Sequence, residues 1–304
     1  MNRARPKPLA FPRPALAVLA LALACPVATP LRADLRWTAA SRAGWAENIS
    51  RTSAAANAKD SATLETTLDA AYPRAFARDW LLTVGAGAES SVVRDFSPNN
   101  TFALGPHVDL RRRFGLGAMA PALTGSLGVQ RLDARLRGAT GWTTTAGLAY
   151  SQRFSTALRA SAGVDWQQQD GSVATFDVRH HSVFARVIWT ITPRFLLTAG
   201  YARLTGQLVA HASGPVFARA LAGAFGPLVA ETYKARPWLV IDSYGPAWIS
   251  YRIDGHADTA TVALTAALFA NTSADLRFTN SRVENTARVR YQTDTLSLGL
   301  VHRF

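Results

Sequence analysis

The stretch of this 304-residue sequence best suited to chemistry is RHHSVFAR, in which His180 and Ser182 stand two residues apart. On a strand, residues i and i+2 share a face. A histidine beside a serine is the base and nucleophile of acyl transfer, provided a third group orients the imidazole. No such third residue presents itself on a neighbouring segment, so the pair reads as the polar end of a strand. His107 with Asp109, and His256 with Asp258, are the other close histidine–acid pairs. A metal site needs three or four converging ligands, so the expectation is no metal. Phosphate-cradling glycine loops and cysteine clusters are lacking as well, which predicts no cofactor and no catalytic residues.

What positions these residues is a period of two, repeated along the whole chain. The last ten residues, TLSLGLVHRF, place Leu296, Leu298, Leu300, His302 and Phe304 on one face and Thr295, Ser297, Gly299, Val301 and Arg303 on the other. The same alternation is found at Leu35–Trp45, Leu64–Tyr72, Trp80–Val92, Phe102–Phe114, Leu123–Val129, Trp142–Phe154, 158–168, 183–191, 195–203, Ala260–Leu268 and Leu276–Phe278. That makes twelve strands, most of them 9–14 residues long. Strands of soluble proteins average about 5–6 residues, and a tilted membrane-crossing strand needs about 9–11. Short connections (Pro73–Asp79, Gly115–Ala120, Ser155–Ala157, Thr192–Arg194, Ala270–Ser273) alternate with long polar ones (Arg51–Asp60, Val93–Asn100, Asp133–Gly141, Asp170–Val178, Arg282–Val289). An up-and-down barrel with periplasmic turns and external loops distributes its connections in this way. Aromatics gather near both strand ends, as in interfacial girdles.

Arg3, Arg5 and Lys7, the apolar run Ala15–Ala24 and a small-residue zone read as a cleaved secretory signal over residues 1–33. A cut after Ala24 would instead leave Cys25 first, open to lipidation. Removing residues 1–33 lowers the formal charge from +13 to +8 and leaves mostly scattered arginine, which predicts no nucleic-acid partner. No apolar run, the leader's included, reaches membrane-helix length. Residues 34–304 then form a single domain.

The chain resembles a bacterial outer-membrane β-barrel, chiefly in its pattern and in TLSLGLVHRF. That segment is similar to the family's C-terminal insertion signal, with His302 where Tyr is frequent. The resemblance implies outer-membrane lipid, lipopolysaccharide and the barrel-assembly machinery as partners. GWAENISRT is also similar to the first strand of barrels associated with polysaccharide export. Membrane-embedded acyl hydrolases carry a His-x-Ser pair facing lipid, whereas parity here turns His180 and Ser182 inward and His181 outward.

The expected fold is thus an all-β, transmembrane, antiparallel up-and-down barrel of twelve strands, or fourteen if the segment at 205–258 hides a hairpin. That segment is expected to be one long external loop with a short helix near Val216–Ala222, or with Ala247–Ile253 extending the next strand upward. The expected lumen lining is Arg36, Arg42, Glu65, Asp69, Glu89, Asp109, Arg111, Arg113, Arg153, Arg159, Asp165 and Arg186. Arg131 and Arg203 fall on the outward parity near the loops. A wet interior rich in small residues predicts a passive or weakly selective pore for small polar or anionic solutes. The alternatives are an accessory barrel for polysaccharide or protein export and, third, a lipid acyl hydrolase.

Overall fold

A computed structural model describes residues 35–136, 138–217, 238–286 and 289–304. The signal sequence, its cleavage zone and Cys25 lie outside them. The strands are β1 (Arg36–Ala46), β2 (Ser61–Ala77), β3 (Trp80–Val93), β4 (Thr101–Arg113), β5 (Ala122–Ala134), β6 (Gly141–Arg153), β7 (Leu158–Gly171), β8 (Val178–Thr192), β9 (Phe195–Ser213), β10 (Trp238–Ile241), β11 (Trp248–Phe269), β12 (Thr272–Asn285) and β13 (Arg290–Arg303). Twelve of them form a closed antiparallel ring in which each pairs with the next, β9 pairs with β11, and β13 returns to β1. The short β10 hangs on the upper end of β11.

Closure follows from the two faces. Outward positions carry Leu64, Leu104, Leu127, Leu148, Val164, Val183, Leu276 and Leu298, each between 44% and 61% exposed. A belt of that size running right round a molecule has no place in water and matches hydrocarbon. In hydrocarbon an open strand edge would leave a row of unpaired amides and carbonyls, so the sheet must join itself. Among the described residues no helix is long and apolar enough to cross a membrane; the crossing is made by strands.

The seam between first and last strands is paired from Thr38↔Arg303 to Ala46↔Thr295. It is extended below by the Phe304 amide donating to the Trp37 carbonyl (3.0 Å) and above by the Glu47 amide donating to the Asp294 carbonyl (2.8 Å). His302 faces outward, bonded through Nδ1 to Thr272 Oγ1 (2.8 Å) and edge-on to the Phe304 ring at 4.5 Å.

Many strands run further than their alternation indicates. β2 continues through Pro73 to Ala77, beyond the last residue paired with β1, so the missing proline amide costs no ladder bond on that side. β12 covers fourteen residues, where the apolar pattern marks only Leu276–Phe278. The largest correction concerns 205–258. β9 and β11 stay paired up to Ser213↔Trp248, so about half of the expected loop is strand. Residues 214–217 are helical, and 218–222 lie outside the description. The ring has the expected twelve strands, and of the alternative hairpin only the short β10 is formed among the described residues. The connections alternate between two ends: 78–79, 114–121, 154–157, 193–194 and 270–271 at one, most of them two to four residues long, and 47–60, 94–100, 135–140 and 172–177 with the β9–β11 ribbon at the other.

The two outward arginines marked by the sequence pattern each have an acid partner. Arg131 lies 3.5 Å from Asp133 and over the Trp142 ring at 5.7 Å; Arg203 lies 3.6 Å from Asp258. At the turn end, Arg112 reaches Asp79 at 3.4 Å between the Trp80 and Phe114 rings, a guanidinium held at the level of the aromatic girdle.

Candidate functional site: the lumen and its cap

Register sets which side chains share the interior. Arg42 is opposite Glu65 on β2 and Gly299 on β13, and Gly299 in turn is opposite Asp275 on β12. The Arg42 guanidinium spans these strands, donating from Nη2 to both Asp275 oxygens at 3.3 Å and approaching Glu65 at 3.7 Å. Arg277 adds a contact to Asp275 at 3.6 Å. Gly299 makes this possible: a Cβ there would stand 2.4 Å from Asp275 Oδ1. Asp275, only 5% exposed, is the anchor of the cluster. Neither it nor Arg277 is among the sequence candidates, because the alternation of β12 was legible over three residues only. Their signal was the odd-numbered parity they share with one another.

Further round the ring, His107 stands 3.6 Å from Asp69. Asp109 shares its face and lies opposite Thr83 and Ser126. Glu89 is opposite Thr67 and Ala103, and Asp165 is opposite Gly147 and Ser182, all on the same face. Arg36, Arg111, Arg113, Arg153, Arg159 and Arg186 occupy that face too, and none of these six forms an ion pair among the described residues.

The histidine–serine stretch forms no dyad. His180 lies opposite Gln167 and Gly206, Ser182 opposite Asp165 and Leu204, and no hydrogen bond joins the two. His180 Nδ1 is buried without a hydrogen-bond partner. No group of three metal-ligating side chains occurs among the described residues.

The loop end holds what sequence reasoning missed. The β8–β9 ladder stops at His180↔Gly206 and the β11–β12 ladder at Gly255↔Asn285, and Gly206 and Gly255 are themselves opposite each other. Above this glycine pair the β9–β11 hairpin leaves the wall as a two-stranded ribbon. Gly206 has φ +136°, and a Cβ on it would stand 2.5 Å from the Arg179 carbonyl oxygen; one on Gly255 would stand 2.7 Å from that of Glu284. Only glycines allow so close a passage at the point of departure.

The tip of the ribbon meets the other loops. Tyr244 donates its hydroxyl to the Ile49 carbonyl (2.9 Å) and packs on Phe96 (5.1 Å), His211 (5.2 Å) and Trp248 (5.1 Å). Ile241, Tyr244 and Trp248 form a buried cluster with Ile49, Phe96, Leu136 and Leu239. Asn57 Nδ2 donates to Ser213 Oγ (2.8 Å), and Arg252 donates to the Asp177 carbonyl. Contacts to the connections at 47–60, 94–100, 135–140 and 172–177 require the tip to lie across the mouth. A cavity of about 450 Å³ sits beneath, lined by Thr63, Glu65, Ser91 and Thr295 of the wall and by His211 and Tyr244 of the cap.

The receiving loop is stiff. Asn48, at φ +50°, accepts from the Thr52 amide and the Ser50 hydroxyl and donates to the carbonyls of Thr52 and Gln292. Within the cap, His211 Nδ1 is bonded to Ser250 Oγ at 2.8 Å. Burial, with the Arg51 guanidinium nearby, pulls its imidazole down to about 3. These groups stand above the strand segments that bear the lipid-facing belt.

No protein-family model and no curated protein matches the chain. Among solved structures, an outer-membrane channel of Pseudomonas putida F1 aligns over 90% of this chain and 97% of its own, with 9% identity and a TM-score of 0.58. Looser alignments include the KdgM porin with oligogalacturonate (7% identity, TM-score 0.46, 88% and 99% covered) and the NanC porin (11%, 0.45, 87% and 98%). By its likeness to the Pseudomonas putida channel and its closed ring, the chain has the fold of an outer-membrane β-barrel.

Proposed function

We propose that this protein is an outer-membrane pore for small polar or anionic solutes, held in a capped state by the β9–β11 ribbon. The observation that carries this reading is a closed ring with lipid-compatible residues outside and a charged, glycine- and threonine-rich interior. A barrel needed only as an anchor gains nothing from Arg111, Arg153 and Arg186 inside without an ion pair among the described residues, since burying charge is costly unless the charge is paired or wet. Twelve strands also give a wider interior than the eight-stranded barrels that side chains fill.

The same reading places the turn end in the periplasm and the loop end outside, after export on a leader spanning residues 1–33. Leu296, Leu298, Leu300, His302 and Phe304 would serve the barrel-assembly machinery as an address, and the outer belt would meet lipid and lipopolysaccharide. Catalysis has no support in the His180–Ser182 geometry.

Planar-bilayer recording of the refolded protein and of Tyr244→Ala tests the proposal. The wild type should give rare openings and the variant frequent ones, with reversal potentials in a salt gradient favouring anions. Absence of current from both folded proteins would sink the pore reading and leave the accessory-barrel alternative.

A further inference from the structure

Charge is unevenly spread along the lumen. In the middle, Arg42, Arg277 and His107 each have a carboxylate partner. At the turn end the inward side chains are Arg36, the first residue of β1; Arg111 and Arg113, closing β4; Arg153, the last of β6; Arg159, the second of β7; and Arg303, the last of β13. None of these six is paired with a carboxylate among the described residues.

They come in twos. Arg153 and Arg159 are directly opposite each other across β6 and β7. Like charges directly opposite on a sheet repel, and nothing between the strands offsets that. Arg111 and Arg113 share a face two residues apart. Arg36 and Arg303 are diagonal neighbours, since Arg303 is opposite Thr38. The nearest inward acids are Asp109, two positions above Arg111, and Asp69, diagonal to Arg36 and facing His107 instead at 3.6 Å. Three arginine pairs thus line the arc of the rim running from β13 through β4 to β7.

Access is one-sided. The cap lies across the loop end, whereas the connections at the turn end are two to eight residues long and no described segment crosses it.

We propose that this arginine collar is a binding site for multivalent anions carrying several carboxylate or phosphate groups, loaded from the turn end, which is the periplasmic end in the orientation proposed above. Each guanidinium presents a planar fork that matches either group bidentately, and a pair of forks fits two groups of one molecule better than two separate ions. An arginine-lined entrance also concentrates anions before they bind. The inference builds on the pore reading for its directional part but not for binding itself.

Two measurements test it, with inorganic tripolyphosphate and citrate as separate probes. The first is calorimetry on the folded protein in detergent, which needs no current. Either probe should bind more weakly as salt rises, and Arg153→Gln/Arg159→Gln should lower its affinity at least about tenfold, the loss expected for charge-assisted hydrogen bonds. Binding of both probes distinguishes a general oligoanion site, and binding of one alone assigns the group it recognises. The second is block of current through barrels inserted one way. Block should arise from one compartment only and vanish in the double variant. No binding of either probe by the wild type, affinity unchanged in the double variant, or equal block from both compartments would overturn the proposal.

Discussion

Acidification should open the cap through His211. In the closed state this imidazole is enclosed by Ser250, Tyr244 and the Arg51 side of the first loop, and is held at about 3. Once the ribbon lifts it meets water and returns to an ordinary value near 6.5. Because the closed-state value is depressed, the open state binds the additional proton between these limits. The closed state is therefore fully favoured above about pH 6.5 and loses ground as pH falls towards 3. Between pH 7 and pH 5 the difference amounts to about 2 kcal/mol, a shift of roughly 25-fold in the ratio of open to closed barrels. Glu47 and Glu65 line the same cavity, so the control is His211→Gln, which retains a polar group beside Ser250 without an imidazole proton to gain. Open probability of single channels should rise steeply between pH 7 and pH 5 in the wild type and stay flat in the variant. An equal acid response in both, or none in the wild type, would refute the reasoning.

The interior cluster and the outer belt give two further expectations. Arg42→Ala leaves Asp275, 5% exposed, with only the 3.6 Å contact to Arg277, and should cost roughly 3 kcal/mol of stability. The loss would show as a lower urea midpoint in lipid vesicles, and Arg42→Ala/Asp275→Ala should recover part of it. Leu298→Lys puts a charge on the lipid face at a site 61% exposed and should cost about 2–4 kcal/mol by the same measurement. Thr295→Lys, three residues away, partly exposed and facing the lumen cavity, should cost much less if the two faces are assigned correctly.

The wall of the barrel was legible in the sequence wherever one face meets lipid, because there hydrophobicity has to alternate. Leu64, Leu68 and Tyr72 marked β2 for that reason. Above the belt neither face needs to be apolar, so Thr205–Ser213 and Trp248–Asp258 carried no period, although they are paired throughout. The same loss of contrast hid Asp275 and Arg277 on a strand whose outward residues turn polar after Phe278. The Gly206–Gly255 opposition was invisible for a different reason. It depends on register, and two glycines almost fifty positions apart announce nothing until the ladder is known. His180 and Ser182 show the converse: a suggestive spacing that the strand holds apart.

The seam has a consequence for biogenesis. Asn48 donates across it to the carbonyl of Gln292, 244 positions away, and the strands it joins lie at opposite ends of the described fold. Until β13 exists, β1 and β12 each present a raw edge that hydrocarbon will not accept. A partly made chain therefore has no stable resting place in the bilayer. Insertion as a closed ring thus requires β1 and β13 to be available together.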